Sequence, residues 1–209
     1  MRILELFAGS RSIGKVAKSL GWEVFSNDIE QFGGIDYVVD ILKFDYNKIP
    51  FIPDVIWASP PCTGFSVASI GKHWNTNNTP KSDTARLGVI LVKKTKEIIK
   101  HYKELNPDLK WFVENPRGKL RKLYLVDEPG SYRHTVTYCQ YGDERMKPTD
   151  IWTNASWQPK PMCKNGDSCH VSAPRGSKTG TQGRESAYYR SMIPKELCKE
   201  ILSVLTAFN

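Results

Sequence analysis

The sequence predicts an α/β fold with a mostly parallel, doubly wound sheet. Three observations carry this. Residues 2–28 read as a β-α-β unit. Short runs rich in Ile, Val, Phe and Trp recur down the chain, as central strands covered on both faces require. Several of these runs end in a polar residue, which lines up ligand-binding groups along one sheet edge.

Composition sets the bounds. The 209 residues are 40% hydrophobic and 11% aromatic, enough for one domain with a substantial core. No run of 18 apolar residues occurs, and Met1-Arg2-Ile3-Leu4-Glu5 enters a strand with no signal-peptide pattern, so a cytoplasmic protein without a membrane partner is expected. Five cysteines at scattered spacings suit reduced thiols. A net charge of +8 points to a polyanionic partner, nucleic acid first.

The elements follow in order. Arg2 to Phe7 is a strand, Ala8-Gly9-Ser10 a tight turn, and Ser10 or Ser12 a cap for a helix over about 13–20. Gly21 ends that helix, and Trp22 to Ser26 forms the second strand, closing at Asn27-Asp28. Gly9 lets a ligand approach the backbone closely, and Asp28 can accept from ribose hydroxyls. Tyr37 to Ile41 is a third strand, reaching its carboxylate at Asp40.

The central stretch is Asp54-Val55-Ile56-Trp57-Ala58-Ser59-Pro60-Pro61-Cys62-Thr63-Gly64-Phe65-Ser66. Val55 to Trp57 is a buried strand that must stop by Pro60, because consecutive prolines donate no ladder hydrogen bonds. The two fixed φ angles then present Cys62 as a nucleophile at a strand's carboxyl end. Residues 67–81 lack periodicity and read as a mobile lid, with Lys72, His73 and Trp74 suited to phosphate or base contacts.

Ser82 or Asp83 caps a long helix to about Leu105, with Leu87, Leu91, Ile98, Tyr102 and Leu105 as its apolar stripe. Leu109 to Pro116 is the next strand, placing Glu114 where partial desolvation favours proton sharing. A short basic helix over 118–125, a strand over 132–138 and a last strand over 151–153 follow. Residues 154–187 turn polar, and the loop from Arg175 through Lys178 to Arg184 suits phosphate contact. Cys163, Cys169 and His170 do not have a zinc-finger spacing, and a fourth ligand is missing unless Cys139 folds in, so no metal is expected. Tyr189 to Pro194 opens a terminal helix with Leu197, Ile201, Leu205 and Phe208 buried.

Ser59-Pro60-Pro61-Cys62-Thr63-Gly64-Phe65-Ser66 resembles the catalytic Pro-Pro-Cys loop of cytosine-5 DNA methyltransferases, in the style of small phage-like members. Leu6-Phe7-Ala8-Gly9 to Gly21-Trp22 resembles the family's first S-adenosylmethionine motif, and Glu114-Asn115 its Glu-Asn motif. The resemblance implies a Rossmann-like methyltransferase fold: one catalytic domain over 1–209, a small target-recognition insert over 154–187, and a terminal helix over 188–209 returning to the core. It implies S-adenosylmethionine held by Phe7, Gly9, Asp28, Asp40, Ile41 and Pro60, with Asp40 on the adenine amino group and Ile41 on the purine. Cys62 would attack cytosine carbon 6, Glu114 would serve ring nitrogen 3, and Arg145 would hold the base oxygen. Ser66, Asn115, Lys147, Arg175 and Lys178 would contact DNA, taken as a duplex with the target base flipped out by a monomeric enzyme. DNA methylation in a restriction-modification or phage setting follows from the same likeness.

The chain departs from the family at Arg11 and Ser12 (usually glycines), at Pro116, at Lys147 (usually arginine) and at Arg190-Ser191 (usually Gly-Asn). An amino-methyltransferase would place an aromatic residue after Pro-Pro, where Cys62 stands. A catalytically silent nucleic-acid binder, or an enzyme acting on RNA or a free cytosine nucleotide, is the alternative reading, and methyl-transfer assays separate these.

Overall fold

The computed structural model describes residues 1–184 and 186–206. Seven strands form one sheet: β1 (Arg2–Leu6), β2 (Glu23–Asp28), β3 (Tyr37–Val38), β4 (Val55–Ala58), β5 (Lys110–Pro116), β6 (Tyr132–Val136) and β7 (Thr149–Thr153). Their order is β3-β2-β1-β4-β5-β7-β6. The first five run parallel, while β7 is antiparallel to both β5 and β6. The order reverses beside β1, so the β1 and β4 carboxyl ends flank the crevice where such sheets bind ligands.

Period-two alternation builds both faces of the core. Ile3, Val55, Trp57 and Phe112 face one way and pack against α1 (Ser12–Ser19) and, after it in the chain, a helix at Lys195–Thr206. Leu4, Leu6, Ile56, Trp111 and Val113 face the other way, toward the long helix at Asp83–Leu105. In chain order the helices are α1, α2 (Ile70–His73), α3 (Asp83–Leu105), α4 (Ala187–Ser191) and α5 (Lys195–Thr206). In α5, Leu197, Ile201 and Leu205 are buried as expected, while Phe208 lies outside the described residues.

The structure corrects several local expectations. No side chain caps α1; Arg11 takes the cap position in the left-handed region (φ 56°). That is the conformation glycine adopts most readily, and it accounts for the family's glycine there. Ser12 instead accepts the Ile193 amide at 3.1 Å, tying α1 to the terminal segment. The buried stripe of α3 is Ala85, Gly88, Val92, Thr95, Ile98, Ile99 and Tyr102; Leu87 and Leu105 are exposed. Gly88 sets this rotation, because it lets the Phe65 ring lie against the helix. The basic segment after Gly118 is a single 3-10 turn, Leu120–Lys122.

Residues 67–81 are anchored rather than loose. The Trp74 indole is buried, donates to the Gly64 carbonyl at 2.6 Å and stacks on Phe65 at 6.0 Å. His73 is buried against Ser82, 2.6 Å away. Lys72 alone of the three expected contact residues is exposed.

Candidate active site

Register places the two candidate catalytic groups side by side. In the β4–β5 pair, Ala58 sits opposite Val113, so the chain leaves β4 at Ser59 beside Glu114, which stays in β5 and pairs with Ile151 of β7. The Pro60-Pro61 turn then carries Cys62 over the strand end. Its carbonyl accepts the Phe65 and Ser66 amides at 2.9 and 3.0 Å, closing a tight loop. Phe65 is fully buried and pins that loop from below. A Cβ at Gly118 would collide with the Phe65 carbonyl, so the chain needs glycine there to let the loop seat.

Cys62 and Glu114 line a cavity of 690 Å³ together with Phe7, Gly9, Pro60, Ser66 and Lys147. Glu114 is buried and accepts from the Tyr138 hydroxyl at 3.2 Å. Lys147 is buried and donates to the Arg190 carbonyl at 2.9 Å. Burial pushes the Cys62 thiol up; the Lys147 ammonium opposes this and the Glu114 carboxylate adds to it. Burial in turn pulls Lys147 down from its ordinary value. Cys62 is therefore a thiol at neutral pH and must lose its proton as it attacks.

This arrangement makes a prediction. Lys147→Met removes the cation that favours the thiolate. The midpoint of Cys62 alkylation by iodoacetamide, followed by peptide mass, should move to higher pH. Lys147→Arg should largely restore it. An unmoved midpoint in the methionine variant would refute the electrostatic coupling.

Asn115 does not reach the cavity. Its fully buried amide donates to the Pro60 carbonyl at 2.8 Å, so it positions the cysteine loop. Arg145 is also corrected. Its guanidinium is buried, paired with Asp143, and donates to the carbonyls of Tyr189 (2.9 Å) and Met192 (3.1 Å). It therefore clamps the terminal segment and does not line the cavity; Lys147 and Arg190 do. Arg175 and Lys178 are exposed and outside the cavity lining, whereas their neighbours Ser177 and Thr179 to Gln182 form one wall of it.

On the cofactor side, Phe7, Gly9 and Pro60 line the cavity, but Asp28, Asp40 and Ile41 do not. Asp28 accepts the Gly9 amide at 2.8 Å and the Glu30 amide at 3.0 Å. Asp40 caps a 3-10 turn by accepting the Leu42 amide. Ile41 is a core residue beside Phe44, because the third strand stops at Val38 and the chain turns inward.

Sequence reasoning overlooked Glu5. It is buried within β1 and lines the cavity, and burial pushes its carboxyl up to about 7, with the amides of Ile13 and Gly14 and the charge of Arg11 opposing. Its signal was a lone acid inside an apolar strand. Because the folded value lies above the unfolded one, the native state binds extra protons between about pH 4.5 and 7. Stability thus falls as pH rises through that window. Glu5→Gln should raise the unfolding free energy at pH 8 by about 2–3 kcal/mol and leave it nearly unchanged at pH 4.5, by urea titration. An equal gain at both values would refute this.

A parallel sheet closed by an antiparallel hairpin, with helices on both faces and its site at the β1 and β4 carboxyl ends, is the Rossmann-like fold of S-adenosylmethionine-dependent methyltransferases. A candidate DNA modification methyltransferase encoded within an E. coli prophage superimposes with a TM-score of 0.52 at 15% identity, over 73% of this chain and 46% of that one. A Spodoptera frugiperda DNMT2 variant gives 0.45 at 19% identity, over 76% and 52%. The chain thus spans about half the length of these solved structures. No family model matches it. A Frog virus 3 (isolate Goorha) protein named "Probable DNA (cytosine-5)-methyltransferase" is 36% identical over 176 residues, covering 81% of this chain and 78% of the viral one. The chain belongs to the DNA (cytosine-5)-methyltransferase family.

The cofactor of this family is S-adenosylmethionine, and the residues present suit it. Gly9, at φ +44°, has open space where a side chain would stand. The Phe7 ring offers an apolar wall. Glu5 lines the same cavity with a buried carboxyl, which the positive sulfonium and amino groups of such a ligand would favour in its ionised form. Among the described residues, no helix is long and apolar enough to cross a membrane.

Proposed function

We propose that this protein transfers a methyl group from S-adenosylmethionine to carbon 5 of cytosine in DNA, through a covalent adduct of Cys62. The observation that carries this is Cys62, on the loop after β4, and Glu114, near the carboxyl end of the adjacent β5, sharing one cavity. The Cys62 sulfur adds at carbon 6 and pushes electron density to carbon 5. The Glu114 carboxylate, oriented by Tyr138, takes the Cys62 thiol proton as the sulfur attacks and passes it to ring nitrogen 3, so absorbing charge during addition and taking the proton back on elimination. Lys147 favours the thiolate and donates toward the base oxygen, the role expected of Arg145. When bound, the cofactor supplies an electrophilic methyl carbon. After transfer, water or hydroxide removes the carbon 5 proton and Cys62 is expelled. A duplex substrate must give up its cytosine to the cavity, at a cost of a few kcal/mol. The wall over 177–182 reads as the recognition element, and the net charge of +8 suits a phosphate backbone.

The test is labelled methyl transfer to duplex DNA, single-stranded DNA and RNA, followed by nucleoside analysis. Label in 5-methylcytosine from duplex DNA is expected. Label confined to RNA, or on an exocyclic nitrogen, would overturn the reading.

A further inference from the structure

We infer that Cys139, Cys163, Cys169 and His170 form a structural zinc site fastening the insert to the catalytic end of the sheet. Spacing within the insert leaves the cluster one ligand short. The fold provides it: Cys139, on the turn after β6, meets the three insert residues. Their ligand atoms all lie within 4.8 Å of one another. The Cys139–Cys163 and Cys139–Cys169 sulfurs are 3.1 and 3.6 Å apart. His170 Nδ1 lies 3.7 Å from Cys163 Sγ and 3.6 Å from Cys169 Sγ.

A tetrahedral zinc with bonds of about 2.3 Å to sulfur and 2.05 Å to nitrogen has S–S edges of about 3.8 Å and S–N edges of about 3.6 Å. Three of the four distances match, and the shortest pair need only open by about 0.7 Å. Three soft thiolates and an imidazole favour zinc over magnesium or calcium. Four protein ligands leave no open position, so the site is structural. Binding converts three thiols to thiolates and releases three protons, with His170 neutral.

The surroundings fit that role. Cys139 and Cys163 are buried beside Met146, while Cys169 is exposed, leaving an entry path. The Cys163 amide donates to Thr137 Oγ1 at 3.1 Å, and Gln140 Nε2 lies 3.5 Å from Cys169 Sγ. Among the described residues, no helix or strand lies between β7 and α4. Such a segment is too small to hold itself by core burial. Metal binding would supply that free energy. It would hold the wall over 177–182 close to Lys147, which lies eight residues after Cys139.

The test is zinc analysis of untagged full-length protein, expressed with added zinc and purified reduced without chelator. We expect about one zinc per chain, retained by Cys62→Ser and reduced at least fivefold in Cys163→Ser. Because Cys163→Ser also risks misfolding, cobalt is loaded into the wild type as a second readout. A tetrahedral ligand-field spectrum with strong thiolate charge transfer is expected. Less than about 0.2 zinc per chain in the folded wild type, a cobalt spectrum without thiolate bands, or a Cys139–Cys163 disulfide would each overturn the inference.

Discussion

Cys62→Ser should lower methyl transfer by roughly 10⁴-fold or more while leaving the fold intact. The side chain is half-buried, and serine is close in volume to cysteine. Its loop is held by the Phe65 and Ser66 amides and by the buried Phe65 ring, none of which the substitution touches. A Tm within about 2 °C of the parent is expected. What is lost is the nucleophile: a hydroxyl is far less ionised and less polarisable than a thiol, and Lys147 gives only a modest electrostatic gain. A trapping assay isolates the step. DNA carrying 5-fluorocytosine cannot release its carbon 5 substituent as a proton, so the wild-type enzyme should accumulate a covalent complex after transfer. Cys62→Ser should form none. Transfer retained within tenfold of wild type would remove Cys62 from the mechanism.

The residues that announce themselves in the sequence are those whose constraint is local. Pro60-Pro61 must end a strand wherever it stands, so the strand, its stop and the presentation of Cys62 were all legible. Glu114 was legible because Trp111 to Val113 can only be a buried strand. The misreadings share the opposite property. Asn115 and Arg145 carry the side chains the family motif asks for, yet Asn115 bonds a loop 55 residues away, and Arg145, beyond its pairing with Asp143, bonds carbonyls 44 and 47 residues away. Trp74 read as a base-stacking residue because an aromatic in a polar loop looks exposed until Gly64 and Phe65 are known to lie beneath it. The α3 stripe was rotated for a similar reason: Gly88 adds no hydrophobicity to a periodicity count, but it is where Phe65 fits. The cysteine cluster also escaped a spacing rule, since one ligand lies 24 residues before the next.

Glu114→Gln should lower the transfer rate by about 10²- to 10⁴-fold, with a stability at neutral pH equal to or above that of the parent. The two effects separate because the carboxyl is not needed to hold the site together. The glutamine carbonyl can still accept from Tyr138, and β5 keeps its place through its ladder with β4 and β7. Burial of a carboxylate opposes folding, and the amide lifts that cost. The amide can still offer a weak hydrogen bond to ring nitrogen 3, but it has no proton to give, so addition of Cys62 loses its charge sink. Removing Glu114 also removes the carboxylate that pushes the Cys62 thiol up. Alkylation of Cys62 at neutral pH should therefore quicken in Glu114→Gln even as methyl transfer collapses. A merely structural glutamate would not split the two readouts in this way. If alkylation and transfer fell together, or if transfer survived, Glu114 would be a packing residue and the proton would have to come from Lys147 or water.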